Sequence, residues 1–126
     1  MFVYHATNWD GLVGIRESGW LATHRPSYGT DQDVWPDGSA ERRAYFGASS
    51  EQVRLFYPET GPYVLLRMPR DATVKVERGT GDLYVTKRRS ARTLEWMAVD
   101  RRTLRPVEGA VWRPVRETAA RVRVGR

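Results

Sequence analysis

Apolar and polar positions change their rhythm several times along this chain, and each change marks an element. Phe2 to His5 is dense in aromatic and β-branched residues and predicts a short strand. Thr7 or Asn8 then caps a helix whose apolar positions include Leu12, Val13 and Ile15 and which Gly19 ends. From Thr23 to Arg43 the chain is polar, has no steady period and is broken by Pro26, Gly29, Pro36 and Gly38, so it predicts a long loop. Ala44 to Gly47 predicts a second short strand. Ser49 and Gln52 then have capping-box spacing for a second helix carrying Val53, Phe56 and Tyr57 up to Pro58. In the second half, Tyr63 to Met68 predicts a buried strand, Val74 and Val76 alternate with Lys75 and Glu77, and Leu94 to Val99 follows a basic loop. Val107 to Arg113 and Val115 to Val124 are short and Val-rich, the last serving equally as a strand or, at Glu117 to Arg121, a helical turn. The expected fold is α+β, mostly strands, with two short helices in the N-terminal half.

With 126 residues, 40% of them hydrophobic and five tryptophans, the chain suits a single domain with its own core, spanning 1–126. No unbroken apolar run approaches the roughly 20 residues of a membrane-spanning helix, and no secretory leader is recognisable, so a soluble cytoplasmic protein without membrane attachment is expected. There is no cysteine, and the only histidines are His5 and His24. That excludes disulfides and thiol nucleophiles and leaves no zinc-finger or iron-sulfur spacing, so no metal is expected.

The net charge of +6 is unevenly spread. Residues 1–66 hold five basic against eight acidic side chains, and residues 67–126 hold sixteen against seven. A basic C-terminal half suits phosphate or an acidic protein face. Only Lys75 and Lys87 are lysines, so an arginine-rich composition also explains part of the excess.

No phosphate-binding Gly-x-x-x-x-Gly-Lys loop and no Gly-x-Ser-x-Gly elbow occur, and Gly79-Thr80-Gly81 reads as a turn. Three elements remain, in order: Tyr4-His5-Ala6-Thr7 at the end of the first strand, Tyr45-Phe46 on the second with Ser49 and Ser50 ahead of a helix, and Glu95 opening a later strand. Over about residues 2 to 100 the chain resembles the ADP-ribosyltransferase superfamily, in the His-Tyr-Glu class shared by diphtheria toxin and poly-ADP-ribose polymerases. The resemblance implies a split, mostly antiparallel β-sheet core. It also implies a mono-ADP-ribosyltransferase that cleaves NAD at the nicotinamide bond and passes ADP-ribose to a nucleic-acid or protein acceptor.

Carried over to this sequence, the resemblance makes His5 an anchor for ribose hydroxyls, Tyr45 a stacking wall beside nicotinamide and Glu95 the carboxylate holding the ribose 2′-hydroxyl. Ala6 and Thr7 follow His5 in the nicotinamide-binding turn, Ala6 standing where the family has glycine. Ser49 opens the following helix, and a second stacking aromatic falls at Phe56 or Tyr57. The loop from Thr23 to Arg43 is expected to close over NAD, with His24 or Arg25 reaching the diphosphate. The stretch before Glu95 would meet the acceptor through Tyr84, Lys87, Arg88, Arg89 and Arg92, a cationic run with an aromatic, suited to nucleic acid or an acidic protein surface. The chemistry fits these residue types, because an oxocarbenium-like transition state is stabilised by a nearby carboxylate.

As ordinary structure, His5 would be a hydrogen-bonder at a strand end, Tyr45 a core residue, and Glu95 the ion-pair partner of Arg92 or Arg67. Three other functions compete: a non-catalytic basic nucleic-acid-binding module, an NAD glycohydrolase, and an RNA 2′-phosphotransferase, the last relying on arginines in place of the Tyr and Glu. The acceptor and the oligomeric state stay open.

Overall fold

The computed structural model describes residues 1–26, 34–53 and 63–116. Its elements are β1 (Phe2–Asn8), α1 (Trp9–Ser18), β2 (Trp20–Leu21), β3 (Ala44–Phe46), β4 (Tyr63–Pro69), β5 (Lys75–Val76), β6 (Leu83–Val85), β7 (Arg89–Ser90), β8 (Glu95–Val99) and β9 (Arg113–Pro114). All strand pairs are antiparallel, in three sheets ordered β1-β4-β8-β9, β3-β6-β5 and β2-β7. The α+β class and the predominance of antiparallel strands therefore match the sequence expectation. Among the described residues α1 is the one α-helix, and no helix is long and apolar enough to cross a membrane.

Local chemistry explains the first two elements. Asn8 rather than Thr7 is the helix cap, its side chain accepting from the Gly11 N–H at 2.7 Å, and Gly19 closes the helix at φ 85°, a conformation that favours glycine. Leu12 and Ile15 turn inward from α1, each worth roughly 1.5–3 kcal/mol of burial. The second expected helix differs. Ser50–Gln52 is a single 3-10 turn whose preceding Ser49 makes no side-chain cap, the Gln52 N–H donating to the Ser49 carbonyl instead. Phe56 and Tyr57 lie outside the described residues, as does the centre of the loop from Thr23 to Arg43. The described ends of that loop are tied by paired backbone bonds between His24 and Arg43.

Register sorts the side chains of the main sheet onto two faces, because opposed residues in antiparallel strands share a face and neighbours alternate. Val3, His5 and Thr7 of β1 lie with Val64, Leu66 and Met68 of β4 and with Trp96 of β8. This face is covered by α1 and by Ala44, Phe46, Leu83 and Val85 of the second sheet. Tyr4, Ala6, Tyr63, Leu65, Arg67, Glu95, Met97 and Val99 take the other face, covered by Leu104, Ala110 and Trp112. Around Val107 to Arg113, where strand was expected, only Arg113 enters a ladder.

One bridge joins the two larger sheets. Tyr4 and Gly47 exchange backbone hydrogen bonds of 2.9 and 2.8 Å, so β3 extends the free edge of β1. A Cβ on Gly47 would stand 2.7–2.8 Å from backbone atoms of Gln52, Ser49 and Val53, which is why glycine is needed at the seam.

Candidate functional site

His5 stands at that seam. Its Nδ1 lies 2.7 Å from the Tyr45 carbonyl, and since a carbonyl only accepts, Nδ1 carries the proton and Nε2 is left as an acceptor. Burial lowers the imidazole below its ordinary 6.5, the Tyr45 carbonyl opposes this, and His24 adds a smaller push in the same direction as burial. The ring is therefore neutral at pH 7, with Phe46 packed beside it at 5.5 Å. Next to Phe46 opens a cleft of about 380 Å³, lined by Phe46, Gly47 and Gln52 and by the turn from Thr80 to Leu83, including Asp82. The Gly79-Thr80-Gly81 turn is as expected, with positive φ at both glycines.

Tyr45 shares the strand but not the role expected of it. Its ring is enclosed by Trp35 at 5.1 Å and Tyr84 at 6.0 Å, and its hydroxyl bonds to Glu77 and accepts from Arg43. The wall that would stack on nicotinamide is thus a core face. Burial first, and then the bond to Glu77, raises the Tyr45 hydroxyl well above the ordinary phenol range. Tyr84, expected at the acceptor, is likewise buried, with the Arg43 guanidinium 3.8 Å from its ring centroid.

Arg43 is the centre of this cluster. Its guanidinium reaches Glu77 at 2.7 Å, Glu41 at 2.7 Å and Asp37 at 2.8 Å, although its own side chain is 1% exposed. Burial alone would lower its pKa, and the bonds to Asp37, Tyr45 and Glu41 reverse that and raise it. Glu77 also accepts from the Thr80 hydroxyl at 2.5 Å, which ties the cluster to the rim of the cleft.

Glu95 does not meet His5. It belongs to the transverse row Tyr4–Arg67–Glu95, whereas His5 belongs to the row His5–Leu66–Trp96 on the opposite face of the sheet. Its carboxylate takes Arg67 Nε at 2.8 Å, and Arg67 is itself sandwiched between Phe2 and Trp112 with centroids at 4.2 and 4.1 Å. The ion-pair alternative to a ribose contact is the one the structure contains. Ala6 points away from His5 into the second core, and Thr7 packs buried under the first turn of α1 beside Gly11. His24 and Arg25 are exposed near the described start of the loop.

No protein-family model, curated protein or solved structure matches this chain.

The basic stretch before Glu95 is divided. Lys87, Arg88 and Arg92 are exposed, while Arg89 is partly buried, bonded to Thr73 and 3.5 Å from Asp71. Arg88, Arg89 and Arg92 line a second cavity, of about 630 Å³, away from the seam cleft. Sequence reasoning missed two things. Arg43 closed the expected polar loop and Glu77 was a polar position of the alternation begun at Val74, yet they are buried together. Asp82 was passed over inside a turn, although its position directly before the Leu83-Tyr84-Val85 strand is the signal that puts it at the cleft.

Proposed function

We propose that the chain is an NAD-dependent mono-ADP-ribosyltransferase whose donor site is the seam cleft, with Asp82 in place of Glu95 as the carboxylate toward the ribose. The observation that carries this reading is a neutral His5, oriented through Nδ1 by the Tyr45 carbonyl and packed against Phe46, which lines a cleft formed by the end of β3 and the turn leading into β6. A cleft of this size lies within the range of small-molecule sites.

The residues supply what the reaction needs. His5 Nε2 accepts a ribose hydroxyl proton as a hydrogen bond, fixing the sugar without adding positive charge near its anomeric carbon. The glycosidic bond then breaks with its electron pair leaving on the nicotinamide nitrogen. The acceptor's nucleophile bonds to the anomeric carbon and loses its proton. Between these events the sugar is cationic, and a carboxylate at Asp82 stabilises it. Phe46 shields one side of the cleft from water. When water is the acceptor, the same steps give NAD hydrolysis.

Free nicotinamide, measured after incubating the purified protein with NAD in the presence of DNA, RNA or cell extract, tests the reading. Release that falls with His5→Ala and with Asp82→Asn supports it. No release in any mixture, together with no NAD-dependent change in Tm, overturns it.

A further inference from the structure

The larger cavity lies where the N-terminal ends of β1 and β8 meet β7, and its charge is one-sided. Four arginines line it, namely Arg88, Arg89, Arg92 and Arg116, against two acids. Both acids are engaged: Asp71 pairs with Arg89, and Glu95 pairs with Arg67. Among the described residues Arg88, Arg92 and Arg116 make no ion pair. Arg89 Nε is buried without a hydrogen-bond partner among those residues, an unsatisfied donor of the kind an anion's oxygen would complete.

An aromatic platform adjoins the arginines. β2 pairs with β7 so that Trp20 opposes Ser90 and Leu21 opposes Arg89, which fixes Trp20 beside the cavity. The Arg88 guanidinium lies 3.7 Å from the Trp20 ring centroid, yet Trp20 remains 37% exposed. One side of the indole carries a cation and part of it still faces solvent. Unneutralised arginines beside an exposed aromatic form the combination that holds a nucleic-acid strand whose bases are free to stack.

We propose that this cavity and Trp20 form a binding site for single-stranded nucleic acid, with backbone phosphates on Arg88, Arg92 and Arg116 and a base stacked at Trp20. A duplex presents no free base face to Trp20, and a lone phosphate does not use it. The site is independent of NAD chemistry and is tested without NAD.

Fluorescence anisotropy with labelled 12-nucleotide single-stranded RNA and DNA decides it. A duplex of the same length, inorganic phosphate and phosphatidylserine vesicles serve as the comparison arms. Saturable binding of a single strand is expected, at least tenfold tighter than the duplex, with a slope of log K against log salt of about −2 for three phosphate contacts. The double variant Arg88→Gln/Arg92→Gln should weaken binding at least tenfold and reduce the slope by about 1.4. Trp20→Ala should weaken binding about tenfold at unchanged slope. Arg102→Gln/Arg105→Gln removes equal charge from an exposed loop that does not line the cavity and should leave binding within about twofold, circular dichroism confirming that each variant is folded. The proposal is overturned by absent single-strand binding, by equal duplex binding, or by binding to the vesicles alone. It is equally overturned if millimolar phosphate displaces the strand completely, or if the two double variants weaken binding alike.

Discussion

Replacing Arg43 with alanine should be among the most damaging single changes in this protein. The substitution removes a guanidinium that is almost wholly buried and leaves Glu77, whose side chain is 0% exposed, with only the Tyr45 and Thr80 hydroxyls as partners among the described residues. Stranding one member of a buried ion pair costs about 3–5 kcal/mol. The bonds to Asp37 and Glu41 add little, because those carboxylates reach solvent. A domain of this size has about 5–15 kcal/mol of stability, so a large share would disappear. The midpoint of thermal unfolding should fall by about 10–20 °C. Urea unfolding of the wild type, Arg43→Ala and the pair Arg43→Met/Glu77→Leu measures this directly. The double variant should recover most of the loss, since a well-packed apolar pair can replace a buried ion pair at little cost. Acid adds a second signature. Hydrogen bonds from Arg43 hold the Asp37 and Glu41 carboxyls below their ordinary range, so their contribution is complete above that range and is lost as pH falls through the depressed values. Arg43→Ala should therefore flatten the stability profile below about pH 4. A loss under about 1 kcal/mol for Arg43→Ala, or no recovery in the double variant, would refute the buried-pair reasoning.

The seam and the carboxylates give three more predictions. Glu95→Gln should leave NAD cleavage within about threefold of wild type and change stability by no more than about 1 kcal/mol, whereas Asp82→Asn should lower turnover about 100- to 1,000-fold; steady-state nicotinamide release separates the two, and the reverse ranking would reinstate Glu95. His5 is held below its ordinary pKa of 6.5, so its contribution is full above pH 6.5 and declines as pH falls toward the depressed value, while the unfolded chain takes up the proton. His5→Gln should remove that part of the slope in urea-derived stability between pH 7 and 5, and an unchanged slope would contradict a neutral His5. Gly47→Ala must push against three backbone atoms, so it should cost about 1–3 kcal/mol and reduce NAD binding by distorting the seam; a wild-type Tm would show that the close approach relaxes freely.

Local signals were legible in the sequence where the physics is local. A helix cap at Thr7 or Asn8, the Gly19 stop, the apolar run of β4 and the shared face of Glu95, Met97 and Val99 all follow from residue type and spacing. The side of the sheet on which His5 lies relative to Glu95 does not. That depends on the registers of β1 with β4 and β4 with β8, and a slip of one residue in either would reverse it. Arg43 was illegible for another reason. Its three acidic partners come from Asp37, Glu41 and Glu77, and no periodicity links them. Around β5 the expected alternation holds for Val74 and Lys75 and then breaks, Val76 being exposed and Glu77 buried, because satisfying Arg43 outweighs burying one valine. The short strands β2, β6 and β7 lack the length to show a period at all.

The pairing of Phe2 with Pro69 also bears on how the chain is made. A ribosome releases the segment that becomes β1 long before it releases the one that becomes β4, so the first of them must travel with its ladder unfilled. During that interval α1 is the neighbour that can shield Val3, because it follows at once in sequence and packs in the same core. An early contact of this kind would make α1 a cotranslational escort for β1. Weakening it at Asn8 or Gly19 would lower the yield of soluble protein more than the loss of equilibrium stability alone accounts for.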